Sequence, residues 1–470
     1  MYAISKGLAC AIASVPFLLA CGGGKADNPG SIQTSQCSGS NCGVQGPPTS
    51  TASASTLCPA DADIGKSTYL GGAGSGEVVS LNIDAVKMTY KLTFLESPIP
   101  VSAGQVDKTR AGTTVTGAVM HPPAGMLPNA EQTRCAFMLT PASGTAPSTG
   151  STYTTSFSSA NPPIVFVGKG VAGGGIPGAD VSYAGKNILI YQNVGAVPSR
   201  HFDFYPFLGF ASTTTDLSKL AGTYNGLLYH IEPSANYAAA ATSTSETLDA
   251  NGACSSTSNP APTAGNTSST GCLSTGDPLT LNPNGYFDSN NAPRIENQFS
   301  LPPPLGQKGA SKAHMILGQL NGATVPVVVR TGYVFTGTGV IPLDAQVDDE
   351  SGIAMLASAT PLASGGFDGG YVGADSNFRY TASLIQGGLG TFINPTTQAA
   401  ESGFALKYGL GHPGVVNVGD AQGKSGLAIA AGGLYAIFIE DTENGGIAPT
   451  SANADTASSP YFSVGAQISK

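Results

Sequence analysis

Only 10% of the 470 residues are charged, so chemistry in this chain would have to come from a few scattered groups. Five histidines, His121, His201, His230, His314 and His412, stand apart, with no H-E-x-x-H or H-x-H spacing to put two imidazoles on one metal. Asp348-Asp349-Glu350 has the groups for a metal or a hydrolytic carboxylate pair, but consecutive acids in a turn normally form a solvated tip. Asp441-Thr442-Glu443-Asn444-Gly445 opens like a calcium loop and lacks its length, its sixth-position glycine and its closing glutamate. The G-x-G-x-x-G at 168–173 follows an apolar run, yet Gly174, Gly175 and Pro177 stand where a pyrophosphate-binding helix must begin, so it reads as a turn between strands. The G-x-x-x-G-K-S at 419–425 is one residue too short to wrap two phosphates. There is no G-x-S-x-G, and Ser311-Lys312 lacks the S-x-x-K spacing. The densest aromatic cluster runs from His201 to Phe210. On a strand, alternation would put Phe202 and Phe204 on one face and His201, Asp203 and Tyr205 on the other, where the second set could touch a sugar or a peptide. No metal or cofactor is expected from these patterns.

The first twenty residues carry one basic group, Lys6, then a fourteen-residue apolar run at 7–20, and no acid. This is the layout of a secretory signal, too short to span a bilayer at about 1.5 Å per residue. The run ends in Leu18-Leu19-Ala20-Cys21-Gly22, which resembles the lipobox of type II signal peptides. The resemblance implies lipid on Cys21 and cleavage just before it; the non-acidic Gly22 implies sorting to the outer membrane, on its periplasmic or its surface face. The start Cys21-Gly22-Gly23-Gly24 also looks like that of many uncharacterised proteobacterial lipoproteins.

Without Lys6 the 20 basic residues become 19 against 29 acids, a net charge of −10, which disfavours nucleic acid and anionic lipid headgroups as partners. Cys10 leaves with the leader and Cys21 takes the lipid, so six cysteines remain: Cys37, Cys42, Cys58, Cys135, Cys254 and Cys272. An even number in an exported chain reads as disulfides. The expected pairs are Cys254–Cys272 across a polar segment, Cys58–Cys135 at long range, and Cys37–Cys42 as a small ring.

Residues 21–57 are mostly Gly, Ser, Thr, Pro, Asn and Gln, a flexible tether that would hold a folded body on the order of 30 Å from the lipid. Beyond it, Val79, Leu81 and Ile83, then Met88, Tyr90, Leu92 and Phe94, alternate with polar residues, the pattern of antiparallel strands with one wet face. Similar runs recur to the C-terminal region between Gly, Pro, Asn and Asp clusters, and helical periodicity is confined to short stretches around 353–362 and 425–431. The expected class is all-β, antiparallel strands in sandwich- or barrel-like modules with few short helices. The expected organisation is a signal peptide at 1–20, the tether at 21–57, one β-module at 58–240, a polar loop or linker at 241–275 and a second, similar β-module at 276–470. The function this suggests is a lipid-anchored, non-catalytic binding or structural protein of the envelope. An envelope hydrolase acting on glycan or peptide, and an outer-membrane β-barrel, are the alternatives.

Overall fold

The computed structural model describes residues 57–105, 107–127, 130–184, 186–188, 191–194, 196–232, 238–255, 278–292, 311–335, 346–348, 351–375, 380–393, 400–410, 412–439 and 461–469. The signal peptide, Cys21, nearly all of the tether, Cys37, Cys42, Cys272 and most of the 241–275 segment lie outside the described residues.

The chain is nearly all β, as the alternation implies. The first strands fold into an eight-stranded barrel, in ring order Thr89–Glu96, Glu77–Asp84, Thr68–Ala73, Val197–Phe210, Val171–Tyr183, Ile164–Val167, Ala136–Leu139 and Thr114–Met120, the last closing on the first. Val79, Leu81 and Ile83 point inward and are buried, and their polar neighbours point out. Eight strands leave a bore that side chains fill; here Tyr90, Leu92, Phe94, Val115, Phe137 and Val165 fill it. The last eight strands form a second barrel in simple chain order, from Gly369–Asp375 round to Tyr461–Ser469, which pair with each other. Its interior is filled by Phe392, Phe404, Val418, Tyr435 and Ile437 among others.

Between the barrels in sequence runs an eight-stranded antiparallel sheet, ordered Cys254–Ser255, Ala238–Leu248, Gly222–Glu232, Ser351–Ser358, Ala323–Thr331, Ser311–Leu320, Phe287–Ala292 and Thr280–Leu281. One face carries Leu227, Tyr229, Ile316, Val327, Val329 and Ile353, and packs with the outer surfaces of both barrels: Val78, Leu208 and Phe210 from the first, Ile429, Ala436 and Phe438 from the second. Contact is close enough that Gly318 lies directly under the Phe210 ring, where any Cβ would clash. The opposite face buries Leu228, Met315, Val328, Ala354 and Leu356.

The structure changes three sequence expectations. The stretches at 353–362 and 425–431, expected to be helical, are strands Ser351–Ser358 and Ser425–Ala431. Ser351–Ser358 is buried on both faces, and such a strand shows an unbroken apolar run that periodicity cannot tell from a short helix; Ser425–Ala431 lies in the wall of the second barrel, with Ala428 toward its interior and Ile429 toward the central sheet. The polar 241–275 segment begins as strand: Ala238–Leu248 pairs with Gly222–Glu232 along its whole length, and Leu248 and Cys254 are in the core. The sheet therefore spans the position at which two similar modules were expected to divide. The short α-helices among the described residues are Asp61–Ile64 and Ala130–Arg134.

The expected Cys58–Cys135 disulfide is present and joins residues 77 positions apart. It ties the end of the tether to the helix Ala130–Arg134, where Arg134 also bonds the carbonyls of Pro59 and Cys58 and the carboxylate of Asp61. A loop of that size contributes about 4 kcal/mol in the chain-entropy treatment. Cys254 is also disulfide-bonded; its expected partner Cys272 lies outside the described residues.

One buried ion pair sits inside the first barrel. Arg110, in the connection between strands Thr89–Glu96 and Thr114–Met120, and Glu77 are both fully buried. Arg110 Nε and Nη2 donate to the two carboxylate oxygens at 2.7 and 2.6 Å; Nη1 donates to the Tyr153 hydroxyl and the Gly178 carbonyl, and Nη2 also to the Pro177 carbonyl. Its guanidinium stacks 3.9 Å from the Phe94 centroid. We predict that Arg110→Met, which strands the Glu77 carboxylate, lowers unfolding stability by about 3–5 kcal/mol, whereas Arg110→Met with Glu77→Leu recovers much of the loss. Urea denaturation of the two variants checks this; equal destabilisation would contradict it.

Candidate functional site

Strand Val197–Phe210 runs antiparallel to Val171–Tyr183, and the register sets His201 directly opposite Asp180. His201 Nδ1 lies 2.8 Å from Asp180 Oδ1 and Nε2 lies 3.1 Å from Asp203 Oδ1. Asp203 in turn accepts from the Ser158 backbone N–H at 2.7 Å and from Asn161 Nδ2 at 3.0 Å. The structure thus brings His201 and Asp203 together and separates Tyr205 from them. Tyr205 is 1% exposed, in the barrel core with its ring 5.0 Å from that of Phe202. Asp180, Ser158 and Asn161 carry no sequence signal of their own, since strand pairing and a turn over forty residues away bring the last two in.

An imidazole with a carboxylate on each nitrogen is satisfied only when doubly protonated. Burial pulls the His201 pKa down, but the bonds to Asp180 and Asp203 outweigh it and hold the pKa above the ordinary histidine value. Burial likewise pushes Asp203 up, and its donors from Ser158, Asn161 and His201 outweigh that and hold it low. The cluster is a clamp between two strands and a loop, with both oxygens of Asp203 and Oδ1 of Asp180 engaged.

Several of the other sequence candidates have structural roles. The glycines at 168–173 form the turn into strand Val171–Tyr183, with Gly168 N–H donating to Val171 O. The 419–425 segment is a hairpin turn in which Asp420 Oδ1 accepts the N–H groups of Gln422 and Lys424. His314 donates to Asp288 at 2.8 Å on the sheet face toward the first barrel, beside Tyr286, whose hydroxyl donates to Glu96. His121 lies against Phe137 with Nδ1 3.0 Å from the Ala136 carbonyl. Asp349, Glu350 and residues 441–445 lie outside the described residues.

A concave site unmarked in the sequence opens at one mouth of the second barrel. A cleft of about 580 Å³ lies between the connection entering the barrel, the hairpin turn at 386–389 and the hairpin turn at 431–434. Leu362, Leu384 and Leu434 give it an apolar floor; Asp368, Gln386 and Gln467 supply polar groups, and no Lys, Arg or His among the described residues lines it. The walls are braced: Asp368 Oδ1 accepts from Gly387 N–H at 2.8 Å, Gln467 Nε2 donates to Asp368 O at 3.0 Å, and Gly433 O accepts from Gln467 N–H at 2.8 Å. From the central sheet, Asn321 Nδ2 donates to Gly432 O at 2.7 Å. Gly432 and Gly433 both have positive φ, which the tight turn beside the cleft requires. A single carboxylate over an apolar floor suits an uncharged or cationic ligand and repels an anion.

The His201 clamp predicts a pH response. A raised folded-state pKa means its stabilisation is complete below the unfolded value near 6.5 and fades as pH rises through the folded value. Amide hydrogen exchange in residues 176–183 and 200–205, corrected for the intrinsic pH dependence, is expected to speed up as pH is raised from about 6 to 9. In His201→Gln that acceleration is expected to be absent; a wild-type response unchanged by the substitution would contradict the assignment.

No curated protein matches the chain in sequence. Among solved structures, crystal structures of a double and a single mutant of transferrin binding protein B, a vaccine antigen from Haemophilus parasuis Hp5, are matched at 9% identity over 83% of this chain, with TM-scores of 0.22 and 0.20. The chain spans 65% of the length of those proteins, and scores this low support no inference about fold or partner. The profile of a family described as a protein of unknown function (DUF2957) matches residues 89–466, which take in the central sheet, the second barrel and all but the opening strands of the first. The chain belongs to the DUF2957 family.

Proposed function

We propose that this protein is an outer-membrane lipoprotein, cut before Cys21 and held by lipid on that residue, that binds a short peptide segment at the mouth of its second barrel without transforming it. The observation that carries the binding reading is the braced cleft of about 580 Å³, within the size range of ligand sites. Its apolar floor takes a side chain, and the Gln386 amide is complementary to a peptide backbone.

A hydrolytic reading has less support. Acid–base hydrolysis of a glycoside uses two facing carboxylates, and among the described residues lining the cleft only Asp368 carries one. The Asp180–His201–Asp203 cluster has its acids on one imidazole, leaving no gap for a substrate. A membrane-spanning barrel also fits poorly, because such barrels turn apolar residues outward around a polar lumen. Here Val79, Leu81 and Ile83 in the first barrel, and Phe404, Val418 and Ile437 in the second, pack the interior. Among the described residues no helix is long and apolar enough to cross a membrane.

Anchoring and binding are tested separately. Cys21→Ala is expected to yield a protein that is not lipid-modified and leaves the membrane fraction after carbonate washing; its continued sedimentation with membranes would overturn the anchor. For the cleft, blocked tripeptides with a central leucine are the probes, titrated in NMR. They are expected to shift the resonances of Gly366, Gln386 and Gly433, to bind at least tenfold more weakly when the flanking residues are aspartates, and to lose binding in Leu384→Trp. Equal affinity for the acidic peptides, or shifts at other sites only, would sink the peptide reading.

A further inference from the structure

The strand rung that ends the first barrel's Thr114–Met120 strand pairs Met120 with Met138 of Ala136–Leu139. The rung before it, Val119 with Leu139, points into the barrel core, so the methionine pair stands on the outer surface. Met138 rests on an apolar cluster of Leu127, Ala136, Ile164 and Phe166, and Met126, from the loop after the strand, packs on the same cluster. Three of the chain's seven methionines thus gather on one outer patch around Met138. Met120 is 52% exposed, more than a packing role alone calls for.

We propose that Met120, Met126 and Met138 form a binding site for a soft monovalent metal ion, copper(I). Directly opposed strand residues hold their Cβ atoms about 4.5–5.5 Å apart, so the two unbranched thioether chains can turn both sulfurs onto one ion, and Met126 approaches from the loop side. Thioether sulfur is uncharged and polarisable, the donor that selects copper(I) and leaves zinc, calcium and magnesium to imidazole and oxygen. The neighbouring His121 is turned away, with its ring on Phe137 of the inner face and Nδ1 engaged by the Ala136 carbonyl. The donor set is therefore sulfur alone and neutral, which favours the lower charge. Oxidation of the methionines to sulfoxides would replace the soft donors with hard oxygen and release the ion.

The full-length lipoprotein in detergent, with free thiols alkylated to silence the cysteines, is titrated with copper(I) under anaerobic ascorbate against bathocuproine disulfonate, and with silver(I) as a redox-inert probe. One ion per chain is expected, bound at least tenfold more weakly in Met138→Leu and in Met120→Leu. Leucine keeps the apolar volume and removes the sulfur, so the thermal midpoints should match wild type, and Met315→Leu, buried in the central sheet, should bind as wild type does. X-ray absorption should show sulfur neighbours that Met138→Leu loses. Absence of copper(I) binding, binding unchanged in the triple Met120, Met126 and Met138 leucine variant, or equal affinity for zinc(II) would each overturn the proposal. The cleft of the second barrel takes no part in this test, so its fate does not bear on the result.

Discussion

Burial of the central sheet on both faces is the constraint on which the rest of the architecture depends. Its Leu227, Tyr229, Ile316, Val327, Val329 and Ile353 are covered by the outer surfaces of the two barrels, while Leu228, Met315, Val328 and Leu356 are covered from the other side. A sheet of this kind cannot leave a face in water without exposing a large apolar area, at roughly 25 cal/mol for each Å². The barrels must therefore present apolar residues outward on one flank as well as inward. Val78, Leu208 and Phe210 do this in the first barrel and Ile429, Ala436 and Phe438 in the second.

Inside the barrels the constraint is one of filling. An eight-stranded bore admits side chains and little else, and both interiors are packed with aromatic and branched residues. Arg110 and Glu77 are the exception in the first barrel, a full charge pair with all guanidinium directions answered by the carboxylate, the Tyr153 hydroxyl and two carbonyls. Such a pair adds little net stability over an apolar filling, but it penalises any arrangement that parts its members. It joins the loop carrying Arg110, the strand of Glu77 and the bend at Pro177-Gly178 into one geometry.

With both bores filled, ligand chemistry is displaced to mouths and outer surfaces. The cleft of the second barrel exists because two hairpin turns and the incoming connection stand above the last layer of packed side chains, and the central sheet braces one of those turns through Asn321. The outer face of the first barrel likewise sets Met120 beside Met138. The His201 clamp differs from both: both imidazole nitrogens and both Asp203 oxygens are taken up in binding strand to strand and strand to loop.

Local pattern alone determined the secondary-structure class and several of its details. Alternation at Val79, Leu81 and Ile83 and at Tyr90, Leu92 and Phe94 specifies strands with one wet face because strand side chains alternate by two. With Cys254 assigned to Cys272 and Cys37 to Cys42, Cys58 and Cys135 remain as a long-range pair, which the structure shows, and alternation placed His201 and Asp203 on one side of a strand. What the pattern could not carry was anything set by a partner distant in sequence. The runs at 353–362 and 425–431 looked helical because contacts on both sides of a strand erase alternation: the first crosses the central sheet, buried on both faces, and the second lies between the interior of the second barrel and that sheet. Tyr205 packs in the core beside Phe202 instead of beside Asp203, so strict alternation fails between Phe202 and Tyr205, and only the closed barrel shows which side each takes. The Arg110–Glu77 pair, the Asp180 partner of His201, the methionine rung and the cleft each join residues that closure of a barrel or sheet brings together, and no local spacing records them.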